Sequence, residues 1–351
     1  MKKSHLVFAL ILGLCSCKTK TEELIGNWRE KPGGFSGAPR SGAVAFTIGN
    51  KAYIGTGYNS GSLRLKTFYE YNAENDSWTQ KADFAGQTRN QAVGFSIGSK
   101  GYLGTGQNED SQILRDFWEY DSAENRWVRK ADLGENMGIK RPLARKNAVG
   151  FAIEGKGYIG TGLGQDTDDT TAITNRGDMW EFNPADVSNG FDVNNAPMGA
   201  WVQKSDFAGS KRNSAVVFVI GAKAYVGTGT TNNSSPIDLY EFDPATSTGK
   251  WTRQNDLPSG TTGKVGAVAF AINGKGYLTG GSSKDCWEFD PAGATKGVWL
   301  QKHDFEGNAR SSAVGFAIGE KGYFGTGVGP YDDFWSFEPT ATYVAPTDDI
   351  W

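Results

Sequence analysis

The chain repeats one pattern six times, and this repetition constrains its fold more than any other feature. The six copies are GAVAFTIGNKAYIGTG, QAVGFSIGSKGYLGTG, NAVGFAIEGKGYIGTG, SAVVFVIGAKAYVGTG, GAVAFAINGKGYLTGG and SAVGFAIGEKGYFGTG. In the first half of each copy, Val, Phe and Ile alternate with mostly small residues, which is typical of a strand with two unlike faces. Each copy therefore predicts a β-hairpin whose bulky face can pack against the small face of a neighbouring sheet.

Two further strands follow each hairpin. An aromatic segment comes first, reading FYEYN, DFWEYD, DMWEFN, DLYEFD, DCWEFD or DFWSFE, and five units then reach a tryptophan, at Trp78, Trp127, Trp201, Trp251 and Trp299. The sixth unit lacks that tryptophan strand, but an orphan version, NWREKPGGFSGAPR, precedes the first unit. The pattern predicts an all-β fold, a six-bladed β-propeller closed by an N-terminal strand.

Between Trp28 and Pro339 the units resemble kelch repeats, in the bacterial form described as galactose-oxidase-like. An arginine precedes the first strand at positions 40, 89, 145, 212 and 310, and a tyrosine lies on the second at positions 53, 102, 158, 225, 277 and 323. The resemblance departs at the double glycine of kelch repeats, because five units read Gly-Thr-Gly and only the fifth contains the adjacent pair Gly280 and Gly281. This resemblance implies the kelch propeller fold and, through that departure, weakens any transfer of function from animal kelch proteins.

Features present in nearly every unit are interpreted as architecture. They include the arginines, the aspartates at positions 116, 178, 238, 285 and 333, and the glutamates at positions 70, 119, 181, 241 and 288, which we expect to act as cross-strand partners. The glycines after each tyrosine are expected to let the backbone pass close to an aromatic ring of the same blade. Cys286 occupies a position that other units fill with apolar residues, which indicates an inert core thiol.

The N-terminus has the features of a targeting segment. Two lysines precede a short apolar run, and Leu14-Cys15-Ser16-Cys17 resembles the lipobox of bacterial lipoproteins, in which the last cysteine is acylated. The resemblance implies a signal peptide at 1–16, lipid on Cys17 and an outer-membrane location, periplasmic or surface-exposed. We divide the remainder into a tether at 17–26, the propeller at 27–339 and a C-terminal tail at 340–351.

Composition limits the partners. The 351-residue chain has a formal net charge of −3. It therefore lacks the basic surplus that is typical of nucleic-acid-binding proteins. We expect membrane contact through the lipid anchor only. With Cys15 and Cys17 assigned to the leader and the anchor, Cys286 remains as a single thiol and no intramolecular disulfide is expected.

Candidate ligand residues lie where the units differ. Two long connections, 133–144 and 163–177, are expected to share one face of the propeller at the mouth of its channel. With the starts of the neighbouring inner strands they supply Arg89, Gln91, Lys140, Arg141, Arg145, Asp166, Asp168, Asp169 and Arg176. The three aspartates lack the ligand spacing of a calcium loop, so we predict no metal and no cofactor. A third insertion, 185–200, is expected on the opposite face.

Two functions remain open at this point. The favoured one is a binding or interaction module for a carbohydrate or a protein. The alternative is a cofactor-free sugar epimerase or mutarotase, because bacterial six-bladed kelch-type propellers also resemble N-acetylneuraminate epimerases. Catalysis is not favoured overall, and copper oxidase chemistry of the galactose oxidase type is disfavoured because His303 is the only histidine outside the leader.

Overall fold

A computed structural model describes residues 24–61, 63–135, 143–165, 172–262, 264–329 and 331–345. Within these ranges the chain forms six antiparallel four-stranded sheets, the blades, arranged around a central channel. The secondary structure of these residues consists of strands and turns, and none of it is a helix that could span a bilayer. The all-β, six-bladed propeller predicted from the repeats is confirmed.

Each blade runs from an inner strand at the channel to an outer strand at the rim. Blade 1 contains Val44–Ile48, Lys51–Gly55, Phe68–Asn72 and Ser77–Lys81; blade 2 contains Val93–Ile97, Lys100–Gly104, Phe117–Asp121 and Arg126–Lys130. Blade 3 contains Val149–Ile153, Lys156–Gly160, Met179–Asn183 and Ala200–Lys204; blade 4 contains Val216–Ile220, Lys223–Gly227, Leu239–Asp243 and Lys250–Arg253. Blade 5 contains Ala267–Ile272, Lys275–Gly280, Cys286–Asp290 and Val298–Lys302; blade 6 contains Val314–Ile318, Lys321–Gly325, Phe334–Glu338 and, as its outer strand, Asn27–Glu30.

The N-terminal strand closes the ring, as predicted. Asn27–Glu30 pairs antiparallel with Phe334–Glu338, so the outer strand of the last blade comes from the opposite end of the chain. Trp28 is almost fully buried there and stacks on Phe337 with ring centroids 4.5 Å apart. The N-terminal segment, which leads into the first blade, is thereby held on the last blade by main-chain hydrogen bonds and by one large apolar side chain.

Blades stack because a bulky face meets a face of small residues. A Cβ added to Gly101 of blade 2 would lie 2.2 Å from the ring of Phe46 in blade 1, and one added to Gly157 of blade 3 would lie 2.5 Å from the ring of Phe95 in blade 2. Any side chain at these glycines would therefore push two blades apart. The alternation of large and small residues in the sequence records this packing.

The glycines after the tyrosines also serve packing, within a single blade. A Cβ on Gly55 would come within 1.7 Å of the ring of Phe68, its register partner on the third strand. The fifth blade differs, because Thr279 occupies the glycine position there. The register between the second and third strands ends at Leu278 and Trp287; continued by one residue, it places Thr279 opposite Cys286, a smaller side chain than Phe. Cys286 is a fully buried thiol whose pKa is raised by desolvation, as expected of an inert core residue.

At the rim, the tryptophans of the outer strands connect neighbouring blades. The indole N–H of each donates to a main-chain carbonyl in the segment that follows the preceding blade's outer strand; the six pairs are Trp28 with His303, Trp78 with Gly34, Trp127 with Ala82, Trp201 with Ala131, Trp251 with Ser205 and Trp299 with Asn255. The repeated tryptophan therefore links each blade to the preceding one by a hydrogen bond.

The recurring glutamates are cross-strand partners, as predicted. Tyr53 donates its hydroxyl proton to Glu70 over 2.8 Å, and the carboxylate also lies 2.7 Å from Lys51. The same tyrosine–glutamate bond recurs in blades 2 to 5, where the glutamates are Glu119, Glu181, Glu241 and Glu288. These carboxylates belong to the blade structure.

Candidate functional site

One end of the central channel carries the features expected of a binding site. The inner strands start at this end, so the blade-to-blade connections and the connections between second and third strands all lie on this face, which we call the mouth face. Below it the channel has a volume of about 250 Å³ and is lined by Ala, Val and Gly of the inner strands. The channel wall therefore offers few polar side chains, and the polar chemistry lies at the mouth.

Six residues, one from each blade, encircle the channel at this end, and we call them the mouth ring: Gly42, Gln91, Asn147, Ser214, Gly266 and Ser312. The main-chain N–H of each donates to the carbonyl of its counterpart in the preceding blade over 2.7 to 3.1 Å, and Gly42 completes the cycle by donating to Ser312. All six have positive φ between 51° and 65°. This conformation suits Gly and Asn and is uncommon for Gln and Ser.

Buried cations support the backbone just outside the mouth ring. Arg89 is fully buried, donates to the carbonyl of Thr105 over 2.9 Å and forms a two-pronged ion pair with Asp116 at 2.6 and 2.7 Å. Thr105 has a φ of 63°, which is strained for a β-branched residue. The guanidinium therefore holds a backbone segment that would not adopt this conformation easily by itself.

The same support recurs around the propeller. Arg145, Arg212 and Arg310 pair with Asp178, Asp238 and Asp333, and Lys264 pairs with Asp285 in the fifth blade. Burial alone would raise the pKa of Asp116 and Asp178, but the hydrogen bonds and charges of their arginines hold the pKa of both carboxyl groups below the ordinary value. The structural interpretation of the recurring arginines and aspartates fits this geometry.

This burial bears on three of the candidate ligand residues. Arg89 and Arg145 have no exposed surface, and Arg176 is 2% exposed with its guanidinium against Asp178 and the carbonyl of Gln165. A ligand at the mouth has no access to these side chains in this arrangement. In this arrangement the three side chains support the backbone, and their assignment as ligand contacts stays a prediction.

The remaining candidates divide into two groups. Gln91 is a half-buried member of the mouth ring, so it stays in the candidate site. The others lie outside the described residues, and their assignment stays a prediction: Cys17, Lys140, Arg141, Asp166, Asp168 and Asp169. Near the second long connection, Leu163–Gln165 pairs with Ile173–Asn175, and a groove of about 330 Å³ opens beside Asn175 and Lys211.

Two cations lie beside the mouth ring on the side formed by blades 1 to 3. Arg64 donates from Nε to Oδ1 of Asn90 over 3.0 Å, and Lys146 donates from Nζ to Oε1 of Gln107 over 3.0 Å. Asn90 and Gln107 are register partners in the short ribbon formed by Arg89–Asn90 and Gln107–Asn108. The two cations, the cationic pair, therefore flank one pair of amides, and all four side chains are half-buried.

The electrostatics of this cluster differ from those of the buried arginines. The pKa of Lys146 is lowered, first by burial and then by the positive charge of Arg64. Within the described residues, the hydrogen bonds of the two side chains go to amide oxygens and a main-chain carbonyl, and neither forms an ion pair. The nearby Glu109 accepts from the main-chain N–H of Arg64, not from its guanidinium. The site thus presents positive charge without a fixed counterion.

Arg64 and Lys146 were not among the sequence-based candidates. The sequence did contain an indication of Lys146. The residue directly after the buried cation is uncharged in five units and charged in one; the six residues are Ser41, Asn90, Lys146, Asn213, Val265 and Ser311. Arg64 lies in the connection between the second and third strands of blade 1, where blade 2 has Ile113 at the equivalent position, so its position near Lys146 required the fold.

No group of three or more metal-ligating side chains occurs within the ranges that the structure describes. The aspartates at 166, 168 and 169 fall outside those ranges.

Residues 42–281 match the family model for the kelch-repeat domain of KLHDC2, KLHL20 and DRC7. The chain belongs to the kelch-repeat family. Among solved structures, the kelch propeller of this chain is similar to one titled "Structure of YjhT", with a TM-score of 0.66 and 18% sequence identity over 86% of this chain and 95% of that chain. At this identity the similarity shows the fold alone. No curated protein sequence matches the chain.

Proposed function

We propose that this kelch propeller is a lipid-anchored binding module of the cell envelope, and that the mouth face holds an anionic group of a carbohydrate or protein ligand. The observation that carries the proposal is the cationic pair, Arg64 and Lys146, beside the mouth ring without a carboxylate partner in the described residues.

Physical chemistry supports an anion at this position. Two half-buried cations close enough to lower the pKa of Lys146 repel each other, and a bound carboxylate or sulfate would relieve that repulsion. Hydrogen bonds between ionised partners are about twice as strong as those between neutral groups. Asn90, Gln107 and Gln91 add amide groups that can bind neighbouring hydroxyl or peptide groups of the same ligand.

The direct test is a glycan array that carries carboxylated and sulfated sugars beside their neutral counterparts, probed with the full-length protein in detergent. We expect acidic glycans to be preferred, with an affinity that falls as salt rises. The double variant Arg64→Gln/Lys146→Met should lose at least tenfold in affinity, about 1.4 kcal/mol. Arg253→Gln, an exposed arginine paired with Asp256, is the matched control and should bind normally. Equal binding of neutral and acidic glycans that the double variant leaves unchanged would refute the carbohydrate form of the proposal.

For a protein ligand, the same two variants give the corresponding test. An acidic peptide array should show the same loss in the double variant and the same insensitivity to Arg253→Gln. A ligand whose binding ignores both the salt concentration and the cationic pair would place the site elsewhere.

The alternative function is a sugar epimerase or mutarotase that works without a cofactor. One observation favours it: the lowered pKa of Lys146 increases the fraction of neutral amine available as a general base. NMR can follow the anomeric ratio of an acidic sugar after it is dissolved. A binding module leaves relaxation at the uncatalysed rate, whereas an enzyme accelerates it and Lys146→Met removes the acceleration.

The lipid anchor is tested separately at Cys17. Each buried methylene of an acyl chain adds about 0.8 kcal/mol of membrane affinity, so acylation of this residue would hold the protein at a bilayer. Cys17→Ala should move the protein from the membrane fraction to the soluble fraction. A variant that still sediments with membranes would show a different means of attachment.

A further inference from the structure

A second groove lies on the mouth face, at the rim of blade 5 and away from the cationic pair. It has a volume of about 430 Å³, within the size range of small-molecule sites. One wall is the connection into blade 5, 258–262, and the other is formed by Ser283 to Asp285, Trp287, Gln301 and Asp304. The groove thus combines one aromatic ring with hydroxyl, amide and charged groups.

Trp287 is the unusual member of this groove. Its indole N–H donates to Asp285 over 2.5 Å, which fixes the orientation of the ring. The side chain is half-buried, and no aromatic ring among the described residues packs against it. A fixed and partly exposed tryptophan face therefore borders the groove.

The corresponding rings of the other blades are covered. A phenylalanine from the incoming connection packs edge-on against each of four of them, in the pairs Phe35 with Tyr69, Phe84 with Trp118, Phe207 with Tyr240 and Phe305 with Trp335. In blade 3, Leu133 and Leu143 belong to the apolar cluster that encloses Trp180. Among the described residues, the ring of blade 5 is the one with neither an aromatic ring nor such an apolar cluster packed against it.

Two substitutions and two additional residues before Lys264 distinguish the connection into blade 5 from those four. Leu257 stands where four connections have phenylalanine, and Ser259 stands where they have glycine. The glycine is required beside the phenylalanine, because a Cβ on Gly86 would lie 2.6 Å from the ring of Phe84. The connection into blade 5 is therefore built without the covering ring, and Ser259 lines the groove instead.

We propose that this groove binds a neutral pyranose stacked on Trp287. A pyranose with mainly equatorial hydroxyls presents a flat face of C–H groups, which suits the negative face of an indole. The hydroxyls then meet Ser259, Thr261, Gln301 and Asp304 at the edges of the ring. Lys284 and Asp304 contribute opposite charges, so the groove has no net preference for an acidic sugar. This site is independent of the anion site at the mouth.

The experiment is titration of the full-length protein in detergent with cellobiose and with methyl β-D-glucopyranoside, followed by saturation-transfer NMR and calorimetry. We expect saturable binding of both sugars. The double variant Leu257→Phe/Ser259→Gly installs the covering pair found in four other connections and should weaken binding at least tenfold. Ser259→Gly alone is the matched control and should retain most of the affinity.

A second variant keeps the test independent of that repacking. Trp287→Tyr places at this position the residue that blades 1 and 4 carry there, and it should weaken binding severalfold without loss of the fold. Arg64→Gln/Lys146→Met should bind both sugars normally, which separates this site from the mouth. The proposal is overturned by the absence of saturable binding, by full affinity in the filled variant, or by loss of binding in the mouth variant.

Discussion

At the scale of single residues, blade 1 departs from the ion pairing seen in the other five. Arg40 is fully buried like its counterparts, but Thr67 occupies the position of the aspartate. The guanidinium donates to Thr67 Oγ1 over 3.0 Å and to the carbonyls of Thr56 and Ala38, and it stacks on Phe35. Burial lowers the pKa of Arg40 to about 10. This is a buried charge with hydrogen bonds but no counterion, which is an unfavourable arrangement.

Thr67→Asp should therefore stabilise the protein. The arginine is already desolvated, so the new carboxylate gains charge-assisted hydrogen bonds of about 1.5–3 kcal/mol against the cost of its own burial. Urea unfolding at pH 7 should show a higher free energy of unfolding, and Thr67→Asn, which has the shape without the charge, should not.

The pH dependence of this gain has a definite sign. A carboxyl group whose pKa falls on folding stabilises the protein above its unfolded pKa, about 3.9. The advantage of Thr67→Asp should be complete near pH 7 and should decline as the pH falls below about 4. A gain that persists undiminished at pH 2 would show that it has another origin.

At the scale of strands, the fifth blade exchanges one packing pair for another. Five blades join a glycine on the second strand to a larger apolar residue on the third, as Gly104 and Phe117 do in blade 2. In blade 5 the continued register places Thr279 opposite Cys286, and Gly280 stands where the others have a threonine at positive φ. The departure from Gly-Thr-Gly and the unusual cysteine therefore compensate each other, since a larger residue on the second strand is matched by a smaller one on the third.

A double-mutant cycle at these positions should show strong coupling. Cys286→Phe alone forces a ring against Thr279 and should cost about 1–3 kcal/mol of unfolding free energy. Thr279→Gly alone leaves a void beside a small side chain and should also destabilise. The double variant recreates the pair of blade 2, so its cost should fall below the sum by at least about 1 kcal/mol. Additive costs in chemical denaturation would contradict the pairing.

The blades could be predicted from the sequence, whereas the cationic pair and the groove at Trp287 could not. The alternation of Val, Phe and Ile with small residues, repeated six times, carries the blade structure in local sequence. The cationic pair was missed because Arg64 meets Lys146 through a ribbon formed by residues of blade 2. The difference at Trp287 follows from Leu257, which stands where four connections place a phenylalanine against the ring. These contacts join residues that are far apart in the chain, so the alternation within a strand does not reveal them.

At the scale of the whole molecule, ring closure depends on a short strand from the N-terminal end. Trp28 contacts Phe305, Phe324 and Phe337 and clasps the carbonyl of His303, so it joins blades 5 and 6 at the rim. Trp299 is its counterpart in blade 5, and its strand is joined to the preceding strand by a turn. Both tryptophans donate the same hydrogen bond to a neighbouring blade. Only the strand of Trp299 is joined by a turn to the strand with which it pairs.

Trp28→Ala should therefore be more damaging than Trp299→Ala. Loss of a buried tryptophan costs about 3–5 kcal/mol, and here it also loosens the strand that covers the edge of Phe334–Glu338. We expect a lower melting temperature with concentration-dependent association by light scattering, whereas the Trp299→Ala protein keeps the mass of the unsubstituted protein. Equal melting temperatures and equal masses for the two variants would argue against closure by this strand.

The mouth ring has a consequence for how such a propeller can diversify. Its six hydrogen bonds use main-chain atoms alone, so a substitution other than proline keeps every donor and acceptor of the cycle. Positive φ nevertheless makes β-branched and bulky residues unfavourable at these positions. The six positions are therefore restricted mostly to small or amide side chains. Substitutions at the rim of the channel are therefore limited to these residue types. The preceding position along the chain, where Asn90 and Lys146 stand, carries a wider range of side chains and can vary more freely.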